Sequence, residues 1–272
     1  MCFNHHMTVR AILAVGALVF ASSCSIKEDR LECPTFLTLD FSGVESSLMK
    51  DEGFDCLEVY LTDGNGFSVS ESWVLDGFVG EYSVPVPNSG VDLMVICRKG
   101  GSCSAETGLT IEEGEECPEL YMSAEHYVPV SGEERYYVAL HRNYCELFVC
   151  FKTMFDVPAR PFRVKVVGDV DGYLPGGTPR EGAFSYFSAP SFEGLCRARI
   201  PRQVDGSLML EVDFLDSNDV RTFPVGEYIL ESGYDWNAAD LEDIRVEMDF
   251  SRTGVTFTLS QWKKTLSFDI TF

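Results

Sequence analysis

The chain has 272 residues, 45% apolar and 12% aromatic, a composition that excludes a disordered polymer and can fill one large core or two ordinary ones. Against 21 basic residues stand 43 acidic ones, a formal net charge of -22. Such a surface repels nucleic acid and anionic headgroups, so nucleic-acid binding is set aside.

At the N-terminus Arg10 precedes an apolar run over residues 11–20, and Ala21-Ser22-Ser23-Cys24 follows. A basic start, a short apolar run and small residues before a cut make a secretory signal, here residues 1–23. The run is shorter than the ~20 residues that span a bilayer. The cysteine at the cut points to a lipoprotein, in which the Cys24 thiol carries a diacylglyceryl group and its freed amine a further acyl chain. Several chains are what stable anchoring requires, at about 0.8 kcal/mol per buried methylene. The alternatives left open are an ordinary secretory signal and a true start at Met7. Residues 24–34 read as the acylated end and a polar spacer.

Eight more cysteines follow, from Cys33 to Cys196. An even number in an oxidising compartment suggests disulfides. Cys97 and Cys103 flank residues 98–102, read as a hairpin turn, and are placed for a bridge across it. Cys145 and Cys150, five apart on one strand, should face opposite sides. Buried free thiols are the alternative for several of them.

From residue 35 onward, apolar and polar residues alternate. Leu37, Leu39 and Phe41 do so first, then Leu57, Val59 and Leu61 before the turn Asp63-Gly-Asn-Gly66. Further strands are expected over 81–86, 91–97, 136–140, 146–152, 162–167 and 207–214, then over 244–250, 255–259 and 265–272. One short helix is expected at 237–242. Many short strands separated by Gly, Pro and Asp turns predict antiparallel sandwiches, since a parallel enzyme fold would need crossover helices. The polar stretch 130–135 divides the chain into an N-terminal sandwich over 35–131 and a C-terminal one over 132–272.

No motif for catalysis, phosphate binding or metal binding is present, and no cofactor is expected. After the signal only His126 and His141 remain, neither in a recognisable constellation. Asp63-Gly-Asn-Gly66 and Asp169-Val-Asp-Gly172 resemble fragments of calcium loops but lack the terminal glutamate, and both read as turns.

Four segments together resemble the FimB-like fimbrial anchor family, the lipoproteins that hold type V pili on the outer membrane of Bacteroidetes-type bacteria. They are Cys24-Ser-Ile-Lys-Glu-Asp-Arg-Leu-Glu-Cys33-Pro34, Gly80-Glu-Tyr-Ser-Val-Pro-Val-Pro87, Val138-Ala-Leu-His-Arg-Asn143 before Cys145, and Gly226-Glu-Tyr-Ile-Leu-Glu-Ser-Gly-Tyr234-Asp235-Trp236. The resemblance implies an all-β chain of two transthyretin-like sandwiches, with fimbrial shaft subunits and outer-membrane lipid as partners. In such pili a shaft subunit loses its first strand after a basic residue, usually Arg, and a neighbour's C-terminal strand fills the groove. An anchor keeps that strand and its lipid. Here the next Arg after the first strand is Arg98, and Lys50 is the one basic residue before it. Leu266, Phe268, Ile270 and Phe272 alternate in a strand that is either donated to a shaft subunit or kept to complete the second sandwich. The competing reading is a surface lipoprotein that binds glycan or a host ligand, with Tyr127, Tyr136, Tyr137, Tyr144, Tyr234, Trp236 and Trp262 as the aromatic platform.

Overall fold

The computed structural model describes residues 35–75, 80–130, 132–152, 162–191, 194–216, 219–249, 254–261 and 264–271. Cys24, the signal, Trp262 and Phe272 lie outside the described residues. The described residues are almost entirely β, with four sheets and two short helices among them.

The first sandwich uses β1 (Thr35–Asp40), β2 (Cys56–Thr62), β3 (Ser68–Val74), β4 (Glu81–Val86), β5 (Val91–Lys99), β8 (Glu119–Tyr127) and β9 (Glu133–Tyr137). One sheet runs β4-β1-β9; the other runs β8-β5-β2-β3 and is extended beyond β8 by β10 (His141–Arg142). All pairs are antiparallel except β1 with β9. Alternation builds the core, because side chains two apart on a strand share a face. Leu37 and Leu39 of β1, Leu57, Val59 and Leu61 of β2, and Leu93 and Val95 of β5 are fully buried together. Each such side chain contributes roughly 1.5–3 kcal/mol.

The second sandwich repeats this arrangement strand for strand. Its members are β11 (Tyr144–Lys152), β12 (Phe162–Tyr173), β13 (Pro179–Ser188), β14 (Leu195–Pro201), β15 (Met209–Phe214), β16 (Asp219–Phe223) and β17 (Ile244–Asp249). β11 lies between antiparallel β14 and parallel β17, as β1 lies between β4 and β9. β12 pairs with β13 and β15, and β15 with β16, as β2 pairs with β3 and β5, and β5 with β8. Seven strands with identical wiring thus occur twice in the same chain order. The hairpin β18 (Gly254–Gln261) and β19 (Lys264–Thr271) adds to the edge of β17 and has no counterpart in the first repeat.

The structure alters several sequence expectations. The division drawn at residues 131 and 132 falls inside the first repeat, ahead of β9, because β9 completes the sheet of β1. Residues 98–102 are not a hairpin turn. β6 (Ser102–Ser104) turns away from β5 and pairs with β7 (Gly108–Thr110), which pairs with β12 of the second sandwich. Asp169 to Gly172 is no turn but the second half of β12, as that stretch is the partner of β7. No helix forms at 237–242; the helices among the described residues are α1 (Ser46–Asp51) and α2 (Val225–Glu231). Asp63-Gly-Asn-Gly66 is a turn, its Asp63 carboxylate accepting the backbone N–H groups of Asn65 at 2.7 Å and Phe67 at 2.9 Å.

The graft of β6 and β7 explains why 91–97 is a nearly continuous apolar run. Val95 and Cys97 face the first core, while Met94 and Ile96 face a second core with Leu109 and Ile111. A strand covered on both faces loses its polar alternation.

Candidate functional site

The functional reading of the sequence rests on the first strand and the last hairpin. β1 lies in the middle of its sheet and is tied at both ends. Thr35 Oγ1 donates to Asn88 Oδ1 at 2.6 Å. At the other end Asp40 Oδ1 accepts the Ser42 backbone N–H at 2.9 Å, and Arg135 Nη1 donates to Asp40 Oδ2 and to Glu81 Oε1, both at 2.6 Å. The hydrogen bonds from Ser42, with Arg135 behind them, hold the Asp40 carboxyl down at about 2. One arginine on β9 thereby grips acids on β1 and β4, crossing all three strands.

The segment leaving β1 is also held. Phe54 is buried, with its ring edge-on to Tyr121 at 5.5 Å and Lys99 Nζ 4.7 Å from its centroid. Lys50 is exposed at the C-terminal end of α1.

At the other end of the fold, β19 is the edge strand of the order β14-β11-β17-β18-β19. Its register places Leu266, Phe268 and Ile270 opposite Leu259, Phe257 and Val255 of β18. Among the described residues β19 pairs with no strand on its outer side.

The Cys97–Cys103 bridge is not formed, and both are free thiols. Cys97 sits in the first core, whereas Cys103 packs on the second, with its Sγ 3.9 Å from Met94 Sδ. The chain runs on into β6 instead of folding back, so the two cysteines stand on different sheets and pack on different cores. Cys145 is buried and Cys150 half-buried on β11, in keeping with their five-residue spacing.

Each histidine faces an aspartate at the surface. His126 Nδ1 lies 2.8 Å from Asp92 Oδ1, and His141 Nδ1 lies 3.2 Å from Asp240 Oδ2. The seven-aromatic platform does not assemble. Tyr144, Tyr234 and Trp236 are core residues, and Tyr127 and Tyr136 are half-buried. Tyr137 stands out at 69% exposed.

Arg202 escaped the sequence reading. Its guanidinium ties the 236–239 loop of the second sandwich to the connecting segment at Asn143, donating to the carbonyls of Trp236, Ala238 (2.8 Å) and Ala239 (3.3 Å) and to Asn143 Oδ1 (3.0 Å from Nη2). Its partners are remote in sequence, and no local pattern marks it.

The fold is thus a tandem of seven-strand, transthyretin-like sandwiches with a C-terminal hairpin added. No protein-family model matches the chain, and no curated protein matches it. Solved structures do. The fimbrial anchor protein Mfa2 from Porphyromonas gingivalis superposes with a TM-score of 0.54 at 11% identity, over 88% of this chain and 99% of that one. A candidate adhesin from Bacteroides ovatus gives 0.55 at 10% identity, over 87% and 96%. A candidate polysaccharide-binding protein from Bacteroides thetaiotaomicron gives 0.52 at 12% identity, over 88% and 98%. The fold expected from the sequence resemblance is therefore the fold of a fimbrial anchor protein. None of these three is described as an enzyme.

Proposed function

We propose that the protein is the basal, membrane-anchored subunit of a cell-surface pilus, held in the outer membrane by acyl chains on Cys24 and joined to the shaft by strand addition. The observation that carries this reading is the position of the β18–β19 hairpin. It lies outside the repeated seven-strand unit, on an open edge, and is the last element described. β19 can leave it without removing a strand from either repeat. Its alternation of Leu266, Phe268 and Ile270 with polar residues suits a groove with successive pockets. β1 is placed in the opposite way, central and fully buried at Leu37 and Leu39. No arginine follows it before Arg98, so strand and lipid stay on one chain. The likeness in fold to a fimbrial anchor protein supports the same reading, and a non-enzymatic role accords with it.

The test is deletion of residues 264–272. The truncated monomer is expected to melt within a few degrees of the parent, while pili detach into the medium. A truncated protein that unfolds, or one that still retains pili on the cell, overturns the donor role of β19.

A further inference from the structure

Where the sandwiches meet, β8, β9 and β10 on one side and the loops around Gly177 and residues 237–239 on the other enclose an open cleft of about 370 Å³. We propose that this cleft binds a neutral saccharide, with a sugar ring laid on Tyr137. The site is independent of the anchor reading, since it uses neither Cys24 nor β19.

The polar groups of the cleft fall into two sets. Arg202 and Asn143 form the frame and are already satisfied. The guanidinium donates to three backbone carbonyls and, through Nε and Nη2, to Asn143 Oδ1 at 3.3 and 3.0 Å. Asn143 Nδ2 donates to the His141 carbonyl at 2.9 Å and the Met122 carbonyl at 3.4 Å. This frame fixes the 236–239 loop against β10 and β11 before any ligand arrives.

The second set is left for a ligand. Ser123 Oγ and Tyr136 OH share one hydrogen bond at 3.0 Å. Two hydroxyls with one bond between them keep one O–H to donate and lone pairs to accept. Asp240 Oδ2 lies 3.2 Å from His141 Nδ1, so the tautomer with the proton on Nδ1 leaves Nε2 to accept a hydrogen bond. Tyr137, 69% exposed, adds an open ring face, and Asn237 adds an exposed amide.

The chemistry of that set selects the ligand. Groups that both donate and accept, beside an aromatic face, match the hydroxyls and the apolar ring face of a sugar. None of the residues lining the cleft is a carboxylate, and Asp240 behind His141 is already engaged by that ring and by the Arg142 backbone N–H at 2.7 Å. Arg202 has spent its N–H groups on neutral acceptors and has no fork left for a carboxylate or phosphate. A neutral saccharide satisfies all three conditions.

The test is saturation-transfer NMR on the full-length protein with maltotriose, chitotriose, mannotriose and N-acetyllactosamine as probes. Transfer to the ring protons of at least one is expected. Tyr137→Ala should weaken binding by roughly three- to tenfold, the loss of one stacking contact, with the melting temperature unchanged. Tyr137→Phe should retain it, and His141→Ala should weaken it. Phe187→Ala, exposed on β13 away from the cleft, should leave it intact. No transfer to any of the four probes overturns the proposal, and so does transfer that Tyr137→Ala and His141→Ala leave undiminished.

Discussion

Gly108 and Gly172, on the paired strands β7 and β12, each bring their own backbone against the backbone of the opposite strand. A Cβ on Gly108 would stand 2.0 Å from the Tyr173 carbonyl oxygen, and one on Gly172 would stand 2.0 Å from that of Leu109. Both residues also hold positive φ, +70° and +152°. This contact joins the segment between β5 and β8 of the first sandwich to β12 of the second, and both sides of it require hydrogen in place of a side chain. Gly172→Ala should therefore cost about 2–4 kcal/mol in denaturant unfolding, through overlap with backbone and an unfavourable φ. Gly114→Ala, whose added Cβ meets nothing within 4 Å, is the comparison for the cost of positive φ alone. Equal losses in the two variants would remove the close-approach argument.

The Asp40 carboxyl gives the first sheet a pH dependence whose sign is fixed. Its ionisation is depressed to about 2 in the folded protein, against about 3.9 in an unfolded chain. Folding therefore gains from this group fully above about pH 4, and the gain is lost as pH falls through about 2. Denaturation midpoints of the parent and of Asp40→Asn should differ at pH 6 and converge near pH 2. Parallel midpoint curves across that window would show that Asp40 carries none of the acid sensitivity.

Membrane attachment through Cys24 predicts a simple fractionation result. Cys24→Ala should leave the chain unlabelled by a palmitate analogue and move it from the membrane fraction to the soluble one. Label that persists in this variant assigns the acyl chain elsewhere.

The thiols can be counted directly. With Cys97 and Cys103 on different sheets and free as thiols, both should be alkylated by iodoacetamide in denaturant without reductant. A peptide pair linked through them would require β5 and β6 to fold back on each other.

Much of the strand pattern was legible because one face of most strands is wet. β1, β2, β4, β11 and β17 were found from alternation within a residue or two. β8 was overlooked, since its polar half at Glu125 and His126 masks the alternation of Leu120 and Met122. Gly172 was misread as a turn residue because glycine in a sequence gives the same signal for a bend and for close backbone approach. β9 was assigned to the wrong sandwich for a different reason. Its partner β1 lies some ninety residues earlier, and local pattern carries no information about pairing at that distance. The junction cleft was invisible for the same cause, with Tyr137, His141 and Arg202 brought together only by the two repeats docking.

The grafted β6–β7 pair has a mechanical consequence. In the proposed anchor role, tension would run between β1 in one repeat and β19 in the other, so the load would cross the junction. Two routes carry it in parallel: the covalent segment 138–143, and β7 bonded alongside β12. Parting the sandwiches would have to break the second route as well, a short pairing in which Thr110 faces Gly172 and Leu109 faces Tyr173. The joint is held twice for that reason, and under load the edge hairpin β18–β19 should yield before the two sandwiches part.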